Sequence, residues 1–348
     1  MADTKIEWAT HVWNPTTGCD RVSSGCDNCY ALTMAKRLKG MGAEKYQRDG
    51  DPKTSGPGFG VSEHRGTLNE PFGWRKPRRV FVNSMSDLFH ESVSENFIAQ
   101  VFATMASTPK HTYMILTKRH ARMRSLLRKW APVTGVTPWV HIGPWPLPNV
   151  WLGVSVEDQR WADIRVPALL ETPAAVRFLS CEPLLGPVDL WGPVDQYGGR
   201  PKLTYWLDGR PGWGPEETTE TGLVTQPLTV GPRIDWVIVG GESGPGARPM
   251  HPDWARTIRD QCAHSGVSFH FKQWGEYIPE SLGAQVITRH TAKTAQYADL
   301  KGGHRPANIG ARNGAATCHR VGKKAAGREL DGRTWDEFPT VHAAAVVA

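Results

Sequence analysis

Three of the six cysteines lie within eleven residues near the start of the chain, at Cys19, Cys26 and Cys29. Thiolates this close together in a short loop can bind a metal. A closed zinc site needs a fourth protein ligand, and the nearest candidate, His11, lies upstream of the loop. Three cysteines without a fourth favour a 4Fe–4S cluster whose fourth iron stays open to another ligand. The cluster is therefore the first hypothesis, and zinc is the alternative.

The elements that position this loop follow a repeated order along the sequence. Six short segments rich in β-branched and aromatic residues predict strands at 79–83, 111–117, 150–156, 175–180, 234–239 and 267–272. Amphipathic segments predict helices at 30–39, 94–107, 119–130, 158–170 and 252–265. Alternating strands and helices predict a parallel sheet with right-handed crossovers. We therefore expect an α/β fold, either an open sheet or a full or partial barrel.

The chain of 348 residues has room for one large α/β domain with additions. Two stretches rich in Gly and Pro, at about 40–77 and 189–232, interrupt the strand–helix order and predict insertions on the loop side. After residue 279 the periodicity fades. We expect a barrel domain over 1–279 and an irregular basic C-terminal extension over 280–348, anchored at 330–338.

The composition, the apolar runs and the first residues of the sequence together predict the cellular compartment. Lys and Arg number 41 against 34 Asp and Glu, so the net charge is +7. No apolar run approaches the ~20 residues of a membrane span, and the polar first residues do not resemble a signal peptide. We expect a cytoplasmic protein without membrane contact. In that compartment cysteines serve metal binding or redox chemistry more often than disulfides.

Chemistry in a parallel α/β sheet takes place at the carboxyl ends of the strands. Glycine-rich turns alone do not explain why polar side chains follow six consecutive predicted strands. The polar residues at these positions are Ser84, Ser86, Asp87, Lys118, Ser155, Glu157, Glu182, Glu242, Arg248, Lys272 and Gln273.

Several of these segments resemble the phage gene-product thirty-seven/sixty-eight family, a three-cysteine-motif family of phages and prophages. The resemblance covers most of residues 4–276 and returns at 328–339. That family is in turn similar to a divergent branch of the radical S-adenosylmethionine (SAM) enzymes. The segments that carry the likeness are residues 5–14, 18–31, 84–90, 116–119, 151–157, 182–187, 239–252 and 271–275.

The cysteine spacing and its neighbours extend this likeness. Radical SAM enzymes carry three cysteines after the first strand, spaced by three and then two residues. Here the second gap is the same and the first is six residues. Tyr30, directly after the third cysteine, resembles the Cys-Tyr pair of the spore-photoproduct-lyase-like branch. Ser86-Asp87 and Thr117-Lys118 are similar to the same branch.

The resemblance implies a radical SAM enzyme on a partial (β/α) TIM-like barrel, encoded by a phage or prophage in a bacterial host. Its cofactors would be a 4Fe–4S cluster on the three cysteines and SAM on the open iron. The residues that would face SAM are Ser84, Ser86, Asp87, Lys118, Ser155 and Glu157. The residues that would face the substrate are Glu182, Glu242, Arg248, Lys272 and Gln273.

Two basic segments are relevant to what the protein binds. Residues 110–129 contain seven Lys or Arg and no acid, and residues 301–333 contain eight against two acids. Such segments are either solvated faces or phosphate contacts, so a nucleic acid is a candidate substrate. A non-enzymatic, zinc-stabilised nucleic-acid-binding phage protein is the alternative. A third possibility is a phage factor that binds a separately encoded partner protein.

Overall fold

A computed structural model of the chain describes residues 4, 6–130, 145–192, 206–209, 217–218, 224–225, 231–283, 295–306 and 313–340. Its core is a seven-stranded parallel sheet whose strands are hydrogen-bonded in chain order. The strands are β1 (His11–Trp13), β2 (Arg79–Val82), β3 (Thr112–Thr117), β4 (Val150–Ser155), β5 (Val176–Cys181), β6 (Trp236–Gly240) and β7 (Ser268–Gln273).

The sheet curls into a half-barrel flanked by helices. The predicted partial β/α barrel is therefore confirmed as an architecture of strands and helices. The six predicted strands form within two residues of their expected bounds. In β4 all six residues are buried, because both faces of a central parallel strand are covered. The strand-forming residues of β4 therefore occupy a strand that is buried on both faces.

Four of the five longer helices cover the outer face of the sheet, and the first packs instead with residues of the insertion at 40–77. The five are α1 (Tyr30–Gly40), α2 (Glu95–Ser107), α3 (His120–Trp130), α4 (Gln159–Leu170) and α5 (Pro252–Ser265). Ser94 begins α2 as predicted, because its hydroxyl accepts a hydrogen bond from the Phe97 backbone at 3.2 Å. Asp158 caps α4 in the same way through the Trp161 backbone at 3.1 Å. Within the described ranges no helix is both long and apolar enough to cross a membrane.

The two faces of the sheet have separate cores. The outer core lies between the strands and the helices and includes Phe97, Leu127 and Trp254. The inner core contains aromatic residues from the strands and from the segment before β1, among them Trp8 and Trp236. The N-terminal segment therefore packs inside the half-barrel.

The C-terminal extension is more regular than the sequence predicted. Four short strands form an antiparallel sheet in the order β8 (Tyr277–Pro279), β11 (Ala316–Arg320), β9 (Gln296–Ala298), β10 (His304–Pro306). The expectation of an irregular tail is wrong because these strands of three to five residues are too short to show an alternating pattern. The strands are recognisable only from their pairing and from the small core that they form with Ala247.

The other predicted segments have mixed outcomes. The anchor at 330–338 packs against the edge strand β7, where the Phe271 amide donates to the Trp335 carbonyl at 2.9 Å. The insertion at 40–77 folds beside the three cysteines. The insertion at 189–232 lies largely outside the described residues.

Candidate functional site

A cavity of about 670 Å³ opens at the carboxyl ends of the strands. Its wall contains twelve of the fourteen predicted site residues, and the other two, Glu157 and Arg248, bond to residues around it. The twelve are Cys19, Cys26, Cys29, Ser84, Ser86, Asp87, Lys118, Ser155, Glu182, Glu242, Lys272 and Gln273. The sheet thus gathers side chains that are separated by up to 254 positions in the sequence.

The Cys loop, residues 18–29, presents three free and partly buried thiols to this cavity. Cys26 ends a short 3-10 turn, and Cys29 directly precedes α1. Burial raises the pKa of the Cys19 thiol to about 12, and the nearby Asp87 charge adds to the rise. Burial also raises the pKa of Cys29. These two thiols are neutral near pH 7, so a metal would displace their protons on binding.

Asp20 ties the start of the Cys loop to two other parts of the chain. Its Oδ1 accepts hydrogen bonds from Thr54 Oγ1 at 2.5 Å and Ser55 Oγ at 2.9 Å, and its Oδ2 lies 2.9 Å from His90 Nε2. Burial opposes the charge of Asp20, but these hydrogen bonds outweigh it and lower its pKa. The loop is therefore fixed at this end by a charged side chain.

The insertion at 40–77 forms part of the site. Gly18 has a positive φ of 86°, and a Cβ there would lie 2.3 Å from the Gly60 carbonyl oxygen, so only glycine allows this approach. Thr54 and Phe59, also from the insertion, line the cavity. Sequence analysis missed these residues, because nothing in a Gly- and Pro-rich stretch indicates which distant loop it covers.

Glu157 supports the middle of the Cys loop through a hydrogen bond and through close contact with the loop backbone. Its Oε1 accepts a hydrogen bond from Ser23 Oγ at 2.6 Å, and Lys118 Nζ lies 3.0 Å from the same oxygen. Arg165 Nη1 donates to Oε2 at 2.7 Å, and both side chains of this pair are fully buried. Burial opposes the charge, but Lys118 and Arg165 outweigh it and lower the pKa of Glu157. A Cβ on Gly25 would lie 2.5 Å from Glu157 Cγ, so the loop rests directly on this carboxylate.

Arg248 holds the end of the Cys loop against the segment after β6. It makes a two-pronged pair with Glu242, with Nε–Oε2 and Nη2–Oε1 distances of 2.8 and 2.6 Å. Its Nη2 also donates to the Ser24 carbonyl at 2.8 Å. Asn28 Nδ2 donates to the Gly246 carbonyl at 2.8 Å. The loop is therefore clamped at its start, middle and end by three different parts of the fold.

Asp87 organises the turn after β3. Its Oδ1 accepts from Thr117 Oγ1 at 2.7 Å, and its Oδ2 accepts from the Lys118 amide at 3.0 Å. Arg119 lies 3.6 Å from the same carboxylate and donates to Cys19 Sγ at 3.3 Å. Both Asp87 oxygens already have protein donors, so this residue positions Arg119 against the first cysteine.

The three predicted serines lie in the cavity wall in different surroundings. Ser84 Oγ donates to Asn14 Oδ1 at 3.3 Å, and Ser86 Oγ donates to the Thr16 carbonyl at 2.8 Å. Ser155 is buried at the end of β4. A hydroxyl oxygen has two lone pairs, so Ser84 can accept hydrogen bonds from a ligand. Ser86 Oγ already accepts from Thr16 Oγ1 at 2.9 Å and has one lone pair left.

A second polar group comes from the strands at the far side of the sheet. Lys272 Nζ contacts both carboxylate oxygens of Glu182, at 2.7 and 2.9 Å. Gln273 Nε2 donates to Glu182 Oε1 and to Ser243 Oγ, both at 3.2 Å. The opposite charges of Lys272 and Glu182 neutralise each other. The group therefore suits hydrogen bonding to a polar substrate better than binding of a charged one.

Residues 3–339 match the model of a family described as protein of unknown function (DUF5131). The chain belongs to the DUF5131 family. No curated protein and no solved structure matches it. Membership of DUF5131 brings no activity with it, so the function has to be argued from the site.

Zinc and a 4Fe–4S cluster place different demands on the three thiols of this DUF5131 chain. In the part of the chain that the structure describes, no three or more His, Cys, Asp or Glu side chains surround a point where one metal ion could bind. Zinc requires all its ligands at about 2.0–2.3 Å from one centre, whereas each cysteine of a 4Fe–4S cluster binds a different iron. His11 lies at the opposite end of β1, with its ring 4.6 Å from that of Trp74 and its Nδ1 3.2 Å from Arg78 Nη1. It is therefore not placed as a fourth ligand.

The apolar part of the cavity wall was not predicted. It includes Ile6 and Trp8 from the N-terminal segment and Phe81 and Leu116 from the strands, and Lys323 of the C-terminal extension also lines the cavity. The two-residue period of a strand could have identified Phe81 as facing inward, because its neighbours in β2 face the helices. The N-terminal and C-terminal contributions carry no local signal, since both depend on long-range packing.

Proposed function

We propose that this DUF5131 chain is a radical SAM-type enzyme in which Cys19, Cys26 and Cys29 hold a 4Fe–4S cluster. One observation carries the proposal: three thiols of a single clamped loop stand in the wall of one cavity at the carboxyl ends of a parallel half-barrel. This is the edge of an α/β sheet at which ligands bind. The resemblance of the loop and the strand ends to radical SAM enzymes supports the same assignment.

The protein residues around the cavity have roles that follow from their contacts. A 4Fe–4S cluster held by Cys19, Cys26 and Cys29 would supply the electron for reductive cleavage of SAM, and SAM would supply the radical chemistry on the substrate. Lys118 lines the cavity and is paired with Glu157, so it offers the carboxylate of SAM a remaining N–H donor of its ammonium group rather than an unpaired charge. Ser84, Ser86 and Ser155 offer hydroxyl oxygens to its amino group or ribose.

The remaining wall suits the substrate. Glu182, Lys272 and Gln273 offer polar groups whose positions are fixed by their mutual hydrogen bonds. Trp8 and Phe81, whose rings are 4.7 Å apart, make the inner part of the cavity apolar. A water-poor cavity protects a reactive radical from side reactions, and the protein supplies this exclusion while the cofactors supply the chemistry.

The alternative of a zinc-stabilised nucleic-acid-binding protein gains less from the structure. Many cations of the two basic segments already have an acidic partner within 4 Å: Arg124, Arg128, Lys129, Arg305, Arg320, Lys323, Arg328 and Arg333. Charges that are paired within the protein contribute less to phosphate binding. A nucleic-acid substrate therefore stays a prediction of the sequence, as does a separately encoded partner protein.

Equilibrium binding of SAM tests the proposed function. We expect the anaerobically reconstituted chain to bind SAM at least about tenfold more tightly than the metal-free chain, because SAM needs the open iron as a ligand. Cys26→Ala treated in the same way is the control and is expected to bind like the metal-free protein. Equal affinity of the reconstituted and metal-free chains would contradict iron-anchored binding.

A further inference from the structure

Exposed cations lie at the edge of the sheet opposite the cavity, where β2 and β3 begin. Arg75 and Lys76 precede β2, Lys110 precedes β3, and all three residues are exposed. Many cations of the two basic segments have acidic partners, but within the described ranges none of these three forms an ion pair. Glu70 is the only acidic residue in 65–86. This edge therefore carries an excess of unpaired positive charge.

Two hydrogen bonds join the segment before β2 to the turn before β3. The Thr112 amide donates to the Arg78 carbonyl at 2.9 Å, and His111 Nε2 lies 3.3 Å from the Pro71 carbonyl oxygen. The cations before β2 therefore lie on the same surface as Lys110. We name this surface the basic edge and define it as Phe72, Arg75, Lys76, Arg78 and Lys110.

Packing holds Arg78 in the basic edge. Its Nη1 lies 3.2 Å from His11 Nδ1, and its guanidinium carbon lies 5.8 Å from the ring centroid of the buried Trp74. Neither contact is with a carboxylate, so no ion pair in the described part of the chain neutralises this charge. A guanidinium that is already held loses less side-chain entropy when it binds a phosphate, and its fork of N–H donors fits the phosphate oxygens.

An exposed aromatic ring lies among these cations. Phe72 is 52% exposed and belongs to a short 3-10 turn, Glu70–Gly73, just before the buried Trp74. Surfaces that bind single-stranded nucleic acids combine cations, which contact the phosphates, with aromatic rings on which the bases stack. The basic edge contains both components.

We propose that the basic edge binds the phosphate backbone of a single-stranded nucleic acid, with one base stacked on Phe72. An acidic protein is a poorer fit, because lysine is depleted at protein–protein interfaces and one exposed apolar side chain does not form an interface core. An anionic membrane is also a poorer fit, because surface-binding segments insert the apolar face of an amphipathic helix. Duplex DNA hides the faces of its bases, so the exposed ring favours a single strand.

The basic edge is separate from the cavity. The six residues of β3 extend over about 20 Å from this edge to Thr117, which lines the cavity. Binding at the basic edge therefore needs neither a cluster nor SAM, and the inference does not depend on the proposed enzyme function. A bound strand would be anchored to the protein at the end of the sheet away from the three thiols.

Fluorescence anisotropy with a labelled strand of about twelve thymidines measures this binding, with the full chain used without reconstitution. We expect the logarithm of the association constant to fall with the logarithm of the salt concentration. The expected slope is about −2 to −3 between about 50 and 200 mM salt, because four cations contact phosphates and each contact contributes about −0.7.

A double charge reversal tests the cations. Arg75→Glu combined with Lys76→Glu should weaken binding at least about tenfold and make the slope shallower by about 1.4, because two phosphate contacts are lost. Lys36→Glu combined with Arg37→Glu is the matched control at adjacent exposed positions of α1, which packs near Met85 beyond the carboxyl end of β2. Salt screening should keep its effect on the affinity below about threefold.

Two single variants test the other parts of the basic edge. Lys110→Glu should weaken binding at least about threefold, because the turn before β3 belongs to the same surface. Phe72→Ala should weaken binding at least about fivefold without changing the salt slope, because stacking releases no counterions. Leu300→Ala removes a side chain that is 43% exposed in the C-terminal extension and should leave the affinity unchanged.

Three results would overturn the proposal. The first is no binding of the thymidine strand by the wild type at about 50 mM salt. The second is an equal loss of affinity for the double variants of the basic edge and of α1. The third is that the basic-edge variants lose binding to phosphatidylserine vesicles or to an acidic peptide but bind the strand like the wild type. Because no assay here uses iron or SAM, these results stand whether or not the chain forms a cluster.

Discussion

Replacing any one of Cys19, Cys26 or Cys29 with alanine is expected to reduce the iron content from about four atoms per chain to near zero. Two thiolates cannot hold a cluster that keeps one iron open, and the clamps on the Cys loop leave no freedom for another side chain to replace the third. Iron and sulfide analysis after anaerobic reconstitution measures this loss.

The other three cysteines provide the matched controls. Cys181, Cys262 and Cys318 are buried away from the cavity wall, and burial raises the pKa of each thiol. Their alanine variants are expected to lose some stability but to keep the wild-type iron content per folded chain. Full iron loading of Cys26→Ala, or equal iron loss in Cys262→Ala, would contradict the ligand assignment.

Glu157→Gln is expected to lower the free energy of unfolding by about 3–5 kcal/mol, because it leaves the buried Arg165 charge without its carboxylate. Arg165 is fully buried, and its Nε and Nη2 atoms have no hydrogen-bond partner. The glutamine amide keeps only one acceptor oxygen, so either the Ser23 hydroxyl or Arg165 faces an NH2 group in place of an acceptor. Urea unfolding at pH 7, together with iron content, measures both consequences.

The effect of Glu157 should depend on pH in a defined direction. Its folded pKa lies below the ordinary value of 4.5, because Lys118 and Arg165 outweigh the effect of burial. The carboxylate therefore stabilises the fold fully above pH 4.5, and this contribution is lost as the pH falls toward the lowered folded value. As the pH falls below 5, the free energy of unfolding should therefore decrease less for Glu157→Gln than for the wild type.

Three further variants distinguish the support that Glu157 gives to the Cys loop from general losses of stability. Glu171→Gln removes an exposed partner of Arg124 and Arg128 and is expected to cost less than about 1 kcal/mol. Gly25→Ala crowds Glu157 and should lower iron content, whereas Gly40→Ala meets no atom within 4 Å and should not. Equal losses in the free energy of unfolding for the Glu157 and Glu171 variants would contradict the proposed support of the Cys loop by Glu157.

The sheet was predictable because its signals are local. Each of the six predicted strands is a run rich in β-branched or aromatic residues, and four of them precede an amphipathic helix. Such runs form buried parallel strands in this chain. Placing the polar residues at strand ends was enough to gather twelve of the fourteen predicted site residues around one cavity. For this purpose the order of the strands mattered more than their exact bounds.

The rest of the site depends on contacts that no local pattern encodes. The bonds of Asp20 to Thr54 and Ser55 cross more than thirty residues, and that of Arg248 to the Ser24 carbonyl crosses more than two hundred. The C-terminal strands were missed for the same reason. Sequence analysis gave Glu157 the role of a ligand contact, because it could not show that this carboxylate contacts the back of the Cys loop.

Formation of 5′-deoxyadenosine is the measurement that tests the central claim most directly. The reconstituted chain is incubated anaerobically with SAM and dithionite, and the nucleoside is quantified by mass spectrometry. We predict that it accumulates with the wild type and is absent with Cys26→Ala or without dithionite. A wild-type chain that carries its full iron and sulfide, binds SAM and still forms no 5′-deoxyadenosine would contradict the assignment as a radical SAM enzyme.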